Sequence, residues 1–188
     1  MYGVLMAVVA TTPAGQRTRE ALLDAGATVA GRHGLAGLSV NRVVAEAGVA
    51  KGTFYVHFTD REAFVDALHE RFHTHVRDAI AAAGDLPPGA ERLVRSAEAY
   101  LDVCLDDRAV KALALEARSE GALSAAMADR VDRLTSSAEA SFRAMGWKDV
   151  AASAQLLGAM TSEIAVREFD AGQRLPASRR ALRRFLGG

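Results

Sequence analysis

The sequence predicts an all-α protein, with a small three-helix domain followed by a larger helical bundle. Half of its 188 residues are hydrophobic but only 6% are aromatic, and Ala, Leu and Arg recur far more often than the β-branched and aromatic residues that strands prefer. The four prolines, Pro13, Pro87, Pro88 and Pro176, all fall where a helical reading puts a connection or a first turn. No stretch shows the period-two alternation of a half-buried strand.

The elements follow in order. Apolar residues at Ala21, Leu22, Ala25, Val29 and Ala30 form a helical stripe from about Arg17 to Arg32, ended by Gly34 and Gly37. Ser39 is placed as an N-cap, and Val40, Val43, Val44 and Ala47 make the buried face of a short helix that Gly48 closes. After a two-residue turn, Lys51 to Phe58 forms another short helix, with Phe54 and Phe58 four apart and turned inward. Thr59-Asp60-Arg61-Glu62 reads as a capping box, with Thr59 as the cap and Glu62 reaching back to its amide. The helix it starts carries Phe64, Val65, Leu68, Phe72, Val76 and Ala79 on one face and ends before the Gly84–Gly89 break. Further helices are expected at 90–105, 109–118, 122–145, 149–171 and 177–186, joined by short connections that favour antiparallel neighbours. The expected division is a disordered tail over 1–15, a first domain over 16–60 and a second over 61–188.

The single cysteine, Cys104, has no intramolecular partner, and no structural-zinc spacing is present, so a reducing cytoplasm is the expected location. Met1 to Ala10 is apolar without a preceding basic residue and reads as a tail, with Met6 as an alternative start. No run reaches the length of a membrane span. Formal net charge is zero, yet residues 16–61 hold six Lys and Arg against four acids. That mild basic excess permits nucleic-acid binding and does not establish it.

The informative stretch is Leu38 to Phe64, LSVNRVVAEAGVAKGTFYVHFTDREAF. Two short helices joined by a tight glycine turn are the parts of a helix-turn-helix, whose second helix enters the major groove. The helix at 51–58 carries Lys51, Thr53, Tyr55 and His57 as its exposed face. Thr53 and the first-turn amides can donate to phosphate oxygens, and Lys51 can reach a phosphate or a guanine edge. Gly52 permits close backbone approach. The stretch closely resembles the DNA-binding signature of the tetracycline-repressor (TetR) family. The matching features are the Ser-capped helix, Ala-Gly-Val at 47–49, Lys-Gly-Thr-Phe-Tyr at 51–55 and His-Phe at 57–58. The resemblance implies phosphate contacts by Tyr55, His57 and Arg61, and places Ser39, Asn41 and Arg42 at the groove edge. It departs from the family in the first helix, where Ala30 stands at a position usually held by a large aromatic and Gly26 and Gly31 fall inside the helix. Each interior glycine costs about 1 kcal/mol relative to alanine. That helix is therefore expected to be less rigid than usual.

Other constellations carry less. No nucleophile-base pair or phosphate loop is found; GLAGLS has no strand before it, and Glu116, Glu120, Asp129 and Asp132 are spread as solvated helix charges. An enzyme is not expected, and neither is a cofactor. His69 and His73, four apart, have a metal-sharing spacing, but a helical wheel centred on Phe72 puts His69 at the border of the apolar face and His73 outside it, which predicts partial exposure and no metal. On the helix at 149–171, a small-residue seam of Ala154, Gly158, Thr161 and Ala165 lies beside Leu157, and with Leu182 and Phe185 of the last helix it is the expected homodimer interface, as the family resemblance implies. Phe72, Val76, Tyr100, Cys104, Leu113, Ala117, Leu134, Phe142 and Met160 are the inward-capable residues expected to line a pocket for a small organic effector. Together these features predict a dimeric repressor that occupies a pseudo-palindromic double-stranded DNA operator and leaves when the effector binds. The alternative is an activator or an effector-independent DNA-binding regulator.

Overall fold

The computed structural model describes residues 12–82, 86–107 and 137–187. Its described residues fall into two compact units, one up to Phe72 and the other from His73 onward. All the described elements are helices. In the first unit, α1 spans Pro13–Gly37, α2 Val40–Ala47, α3 Lys51–His57, and α4 begins at Arg61 and continues to Ala82. Thr12 Oγ1 accepts from the Gly15 amide at 3.0 Å and Pro13 occupies the first turn, so residues 13–15, expected in the tail, are helical. Gly34, at φ 65° and ψ −174°, interrupts α1, so that residues 35–37 form a separate turn. The first helix is thus broken at Gly34 as the pattern put it, but it starts at Pro13 and not near Arg17.

Ser39 caps α2 by accepting from the Arg42 amide at 3.4 Å, and Gly48, at φ 66°, closes it in the left-handed region. The cap of α4 differs from the expected capping box. Helix α4 starts at Arg61, so the preceding position belongs to Asp60, whose Oδ1 accepts from the Ala63 amide at 2.8 Å. Thr59 donates its hydroxyl to Asp60 Oδ2 at 3.1 Å instead of capping the helix itself. A carboxylate is the better cap because it also meets the positive end of the helix dipole. The Ala63 amide, helped by Thr59 and the Glu62 amide and opposed by desolvation, holds the Asp60 carboxyl below its ordinary value.

The first core gathers Leu22, Leu23, Ala25, Val29 and Ala30 of α1, Leu35 and Leu38, Val43 and Val44 of α2, Phe54 and Phe58, and Phe64 and Leu68 of α4. Arg71 of α4 ties back to α1 through Asp24 at 2.6 Å and Glu20 at 3.6 Å. Gly26 has a clear reason to be a glycine. A Cβ there would stand 2.4 Å from Phe64 Cζ and 2.7 Å from Cε1. The Phe64 ring lies where a side chain would be, so this glycine is a packing requirement and not the source of slackness that its helix propensity implies. Gly26→Ala is accordingly expected to destabilise the protein, because overpacking costs roughly 1–3 kcal/mol while the gain in helix propensity is about 1 kcal/mol. A urea midpoint above that of the wild type would overturn this account.

In the second unit, α5 spans Ala90–Asp106, α6 Glu139–Ala144, α7 Val150–Ala171 and α8 Pro176–Phe185. The expected helix at 109–118 and most of that at 122–145 lie outside the described residues, as do Leu113, Ala117, Leu134 and the carboxylates Glu116, Glu120, Asp129 and Asp132. The core here joins Leu93, Val94 and Ala97 of α5, Phe142 of α6, Ala154 and Leu157 of α7, and Leu182 and Leu186, with Met160 and Ile164 packed against it. Gly172, at φ 66°, ends α7. Glu168 and Arg179 then pin the α7–α8 connection, since Glu168 Oε1 accepts from the Leu175 amide at 2.8 Å and from Arg179 Nε at 2.7 Å.

Two expectations are corrected here. Ala154, Leu157, Thr161, Ala165 and Leu182, expected at a dimer interface, are all buried within the chain. Small residues do allow close helix approach, but Ala154, Leu157 and Leu182 pack in the unit's own core, and the buried Thr161 hydroxyl is satisfied by the Leu157 carbonyl at 2.8 Å. Gly158 is half-buried. The large apolar side chains that α7 and α8 leave in water are Leu156, 63% exposed, and Phe185, 58% exposed. Of the seven expected interface positions, Phe185 is therefore the large one still presented outward. The histidines are the second correction. His69 and His73 are both buried, because α4 is covered along two adjoining columns, 68/72/76 and 69/73, and not along the single stripe of the wheel.

Candidate nucleic-acid interface

Helix α3 has only seven residues and cannot be stable alone, so its position comes from packing. Phe54 is completely buried, with ring centroids 5.3 Å from Phe58 and 5.2 Å from Phe64, and Phe58 meets Phe64 edge-on at 4.9 Å. This three-ring cluster fixes the helix and decides which face points away from the body. That outward face carries Lys51 and Gly52, both exposed, and Tyr55, 45% exposed and set edge-on to Phe54 at 5.4 Å. Thr53 and His57 are half-buried and flank it. A Cβ at Gly52 would meet nothing within 4 Å, so the surface there is open to close approach. Ala50 precedes the helix and gives no side-chain cap to its first turn. Across the Gly48 turn, Asn41 and Arg42 are exposed in the first turn of α2, and Ser39 is half-buried as its cap.

The cations around this face are not equivalent. Arg42 Nη1 donates to the Gly37 carbonyl at 2.8 Å, which orients its guanidinium beside the start of α2. Arg61, expected to contact phosphate, is turned inward. Its Nε donates to the Leu38 carbonyl and its Nη2 to the Leu35 carbonyl, both at 2.6 Å. Past the Gly34 break the Leu35 carbonyl takes the Leu38 amide at 3.1 Å, and a half-buried charged donor adds a second bond there and serves the Leu38 carbonyl as well. In this structure Arg61 is a clamp between the α1–α2 connection and the start of α4.

Arg19 of α1 was not singled out in the sequence. Its guanidinium lies 5.2 Å from the Phe58 ring centroid. Burial first, and the charge of Arg19 second, push the His57 imidazole below its ordinary pKa. The available signal was a basic residue at the start of the first helix, which is too common to read without the fold. Among the described residues no group of three or more His, Cys, Asp or Glu is placed to hold a metal ion. No helix among them is long and apolar enough to cross a membrane.

Comparison with known proteins agrees with this geometry. Residues 22–68 match the family model described as bacterial regulatory proteins, tetR family. Over 61 residues the chain is 38% identical to the uncharacterized HTH-type transcriptional regulator YvdT of Bacillus subtilis (strain 168), a match covering 32% of this chain and 31% of that protein. The chain thus spans about a third of the length of that curated relative. The fold extends further. A transcriptional regulator from Rhodococcus sp. Rha1 superposes with a TM-score of 0.78 at 21% identity, over 90% of this chain and 94% of that one. A TetR-like transcriptional regulator from Rhodococcus sp. RHA1 gives 0.73 at 22% identity, over 88% and 91%. The multidrug binding protein EbrR, complexed with imidazole, gives 0.64 at 23% identity, over 90% and 95%. Residues 22–68 thus carry the helix-turn-helix region of the tetR family of bacterial regulatory proteins, and the all-helical fold of solved TetR-like regulators extends over most of the chain.

Proposed function

We propose that the protein is a ligand-responsive transcriptional repressor that binds a pseudo-palindromic operator as a homodimer and is released by a small organic effector. The observation that carries the DNA-binding part is the seating of α3 by Phe54 and Phe58, which leaves Lys51, Gly52 and Tyr55 as one outward face. In this reading Lys51 reads a base or a phosphate, Tyr55, Thr53 and His57 contact phosphates, and Ser39, Asn41 and Arg42 line the groove edge. Arg61 positions the motif from behind.

Dimerisation is supported by Leu156 and Phe185, since exposed large apolar residues on neighbouring helices favour burial against a second copy. The effector reading draws support from α5, where Tyr100 and buried Cys104 lie one turn apart and offer a polar edge within an apolar bundle. The multidrug binding described for EbrR is a property of that protein, and it lends this reading a precedent in the same fold. Repression, and not activation, is the simplest use of a dimer whose operator overlaps a promoter.

The test is a gel shift with the DNA flanking the protein's own gene. Tyr55→Phe is expected to weaken binding to that DNA and to unrelated duplex by similar factors, about 1 kcal/mol per half-site, because a phosphate contact carries no sequence information. Lys51→Ala should relax preference at one base position per half-site if Lys51 reads a base, and should lower the salt slope by about 1 per half-site if it neutralises a phosphate. Wild-type binding no stronger to the flanking DNA than to random duplex, at any salt concentration, would refute the operator reading.

A further inference from the structure

We propose that His57 is held as the neutral imidazole with its proton on Nε2, and that it meets DNA phosphate in this form, with Arg19 of α1 helping to keep it there. The inference rests on the reading of α3 as the DNA-facing helix, and it concerns the chemical state of one side chain on that face. The His57 ring is half-buried, and the covered nitrogen is Nδ1, which has no hydrogen-bond partner. Its ring stands 6.4 Å from that of Phe58, the same ring over which the Arg19 guanidinium lies at 5.2 Å.

Three states of the ring compete. The imidazolium puts a charged N–H at the covered Nδ1 with no acceptor, next to the cation of Arg19, and is the worst of them. The neutral form with the proton on Nδ1 buries an orphaned donor, which folded proteins tolerate less well than an orphaned acceptor. The neutral form with the proton on Nε2 leaves only a lone pair inside and turns its one donor outward. A phosphate oxygen accepts and never donates, so this same form is the one able to serve DNA. Burial and the Arg19 charge both push His57 away from protonation, in agreement with the geometry. His57 then contributes a directional hydrogen bond and no charge, and releases no counterion.

The experiment is nitrogen-15 NMR of the His57 imidazole in the full-length protein, free and with a mixed-sequence DNA duplex. The expected spectrum is the Nε2–H tautomer, unprotonated at neutral pH and unchanged by the duplex. Arg19→Gln is expected to raise the His57 pKa, by less than the full shift because burial is the larger cause, while Arg19→Lys preserves it. His57→Gln, whose amide nitrogen takes the place of Nε2, should keep duplex affinity, its salt slope and its pH dependence. His57→Asn should lose roughly 3- to 10-fold per half-site. An Nδ1–H tautomer, an imidazolium in the free protein, protonation on adding duplex, or a pH dependence of binding that His57→Gln abolishes would each overturn the inference. A wild-type protein that binds no duplex would refute the proposed function, and the tautomer seen in the free protein would still decide the state of His57.

Discussion

Glu168→Gln keeps the volume of the side chain, removes its charge, and is expected to destabilise the protein by about 3–5 kcal/mol. Glu168 has no exposed surface and Arg179 retains only 11% on its side chain. Arg179 Nε and Nη2 grip the two carboxylate oxygens at 2.7 and 2.6 Å, and Nη1 reaches Asp102 of α5 at 2.7 Å. Arg174 joins Asp102 from the exposed side at 3.1 Å. Removing one charge strands a nearly buried guanidinium with one partner, whereas replacing both members by apolar residues of similar volume, as in Glu168→Leu with Arg179→Met, is expected to recover much of the loss. The pH dependence has a definite sign. Burial alone would raise the Glu168 carboxyl, but the Arg179 hydrogen bonds, the Leu175 amide and the charges of Arg179 and Arg174 outweigh it and hold the group below its ordinary value of 4.5. A carboxyl lowered on folding contributes stability that is complete above its unfolded pKa and is lost as pH falls through the folded one. Urea denaturation of wild type and Glu168→Gln should therefore show a constant gap from neutral pH down to about 5, closing only below 4.5. An equal urea midpoint for the two proteins at neutral pH would dismiss the clamp.

Phe54→Ala is the second large effect, and it falls on the other unit. Deleting a fully buried phenylalanine typically costs about 3–5 kcal/mol, and Phe54 touches both Phe58 and Phe64. A seven-residue helix without its anchor has no means to hold its outward face. Loss of DNA binding should accompany loss of the first unit's cooperative unfolding in a denaturation curve. Tyr55→Ala next to it should change stability by less than about 1 kcal/mol, because half of its surface is already in water. If Phe54→Ala unfolded at the wild-type midpoint, the three-ring cluster would not be what seats α3.

Much of this was legible because it is local. Ser39 before Val40, Gly48 after Ala47 and the pair Phe54 and Phe58 each act within one or two turns, so the bounds of α2 and, to within a residue, of α3 follow from spacing alone, whereas of the four side chains expected on the exposed face of α3 Thr53 and His57 are half-buried. The cap of α4 was misplaced by one residue for the same reason: Thr59 and Asp60 are both good caps, and the choice depends on where α4 starts to wind. The small-residue seam of α7 was legible as a packing surface, but not against what. Ala154, Thr161 and Ala165 fit a subunit core and a dimer seam equally well by pattern. Glu168 continues that seam by three residues, and a carboxylate on a buried column was the one signal that an arginine had to meet it.

The sequence by itself determined that the chain is helical, where a helix-turn-helix begins and ends, and that Phe54 and Phe58 of its second helix turn inward, since caps, glycines and a 3.6-residue period are properties of neighbouring residues. The tertiary structure alone decided that Gly26 makes room for Phe64, that Arg61 serves the carbonyls of Leu35 and Leu38, that Arg19 lies over the Phe58 ring, and that Ala154 and Leu157 of α7 belong to their own unit's core. Each of these pairs residues far apart in the chain, such as Arg61 and Leu35 across 26 positions. A side chain's role there is set by what packing brings against it, and periodicity along one helix shows which way a residue points but not what it meets.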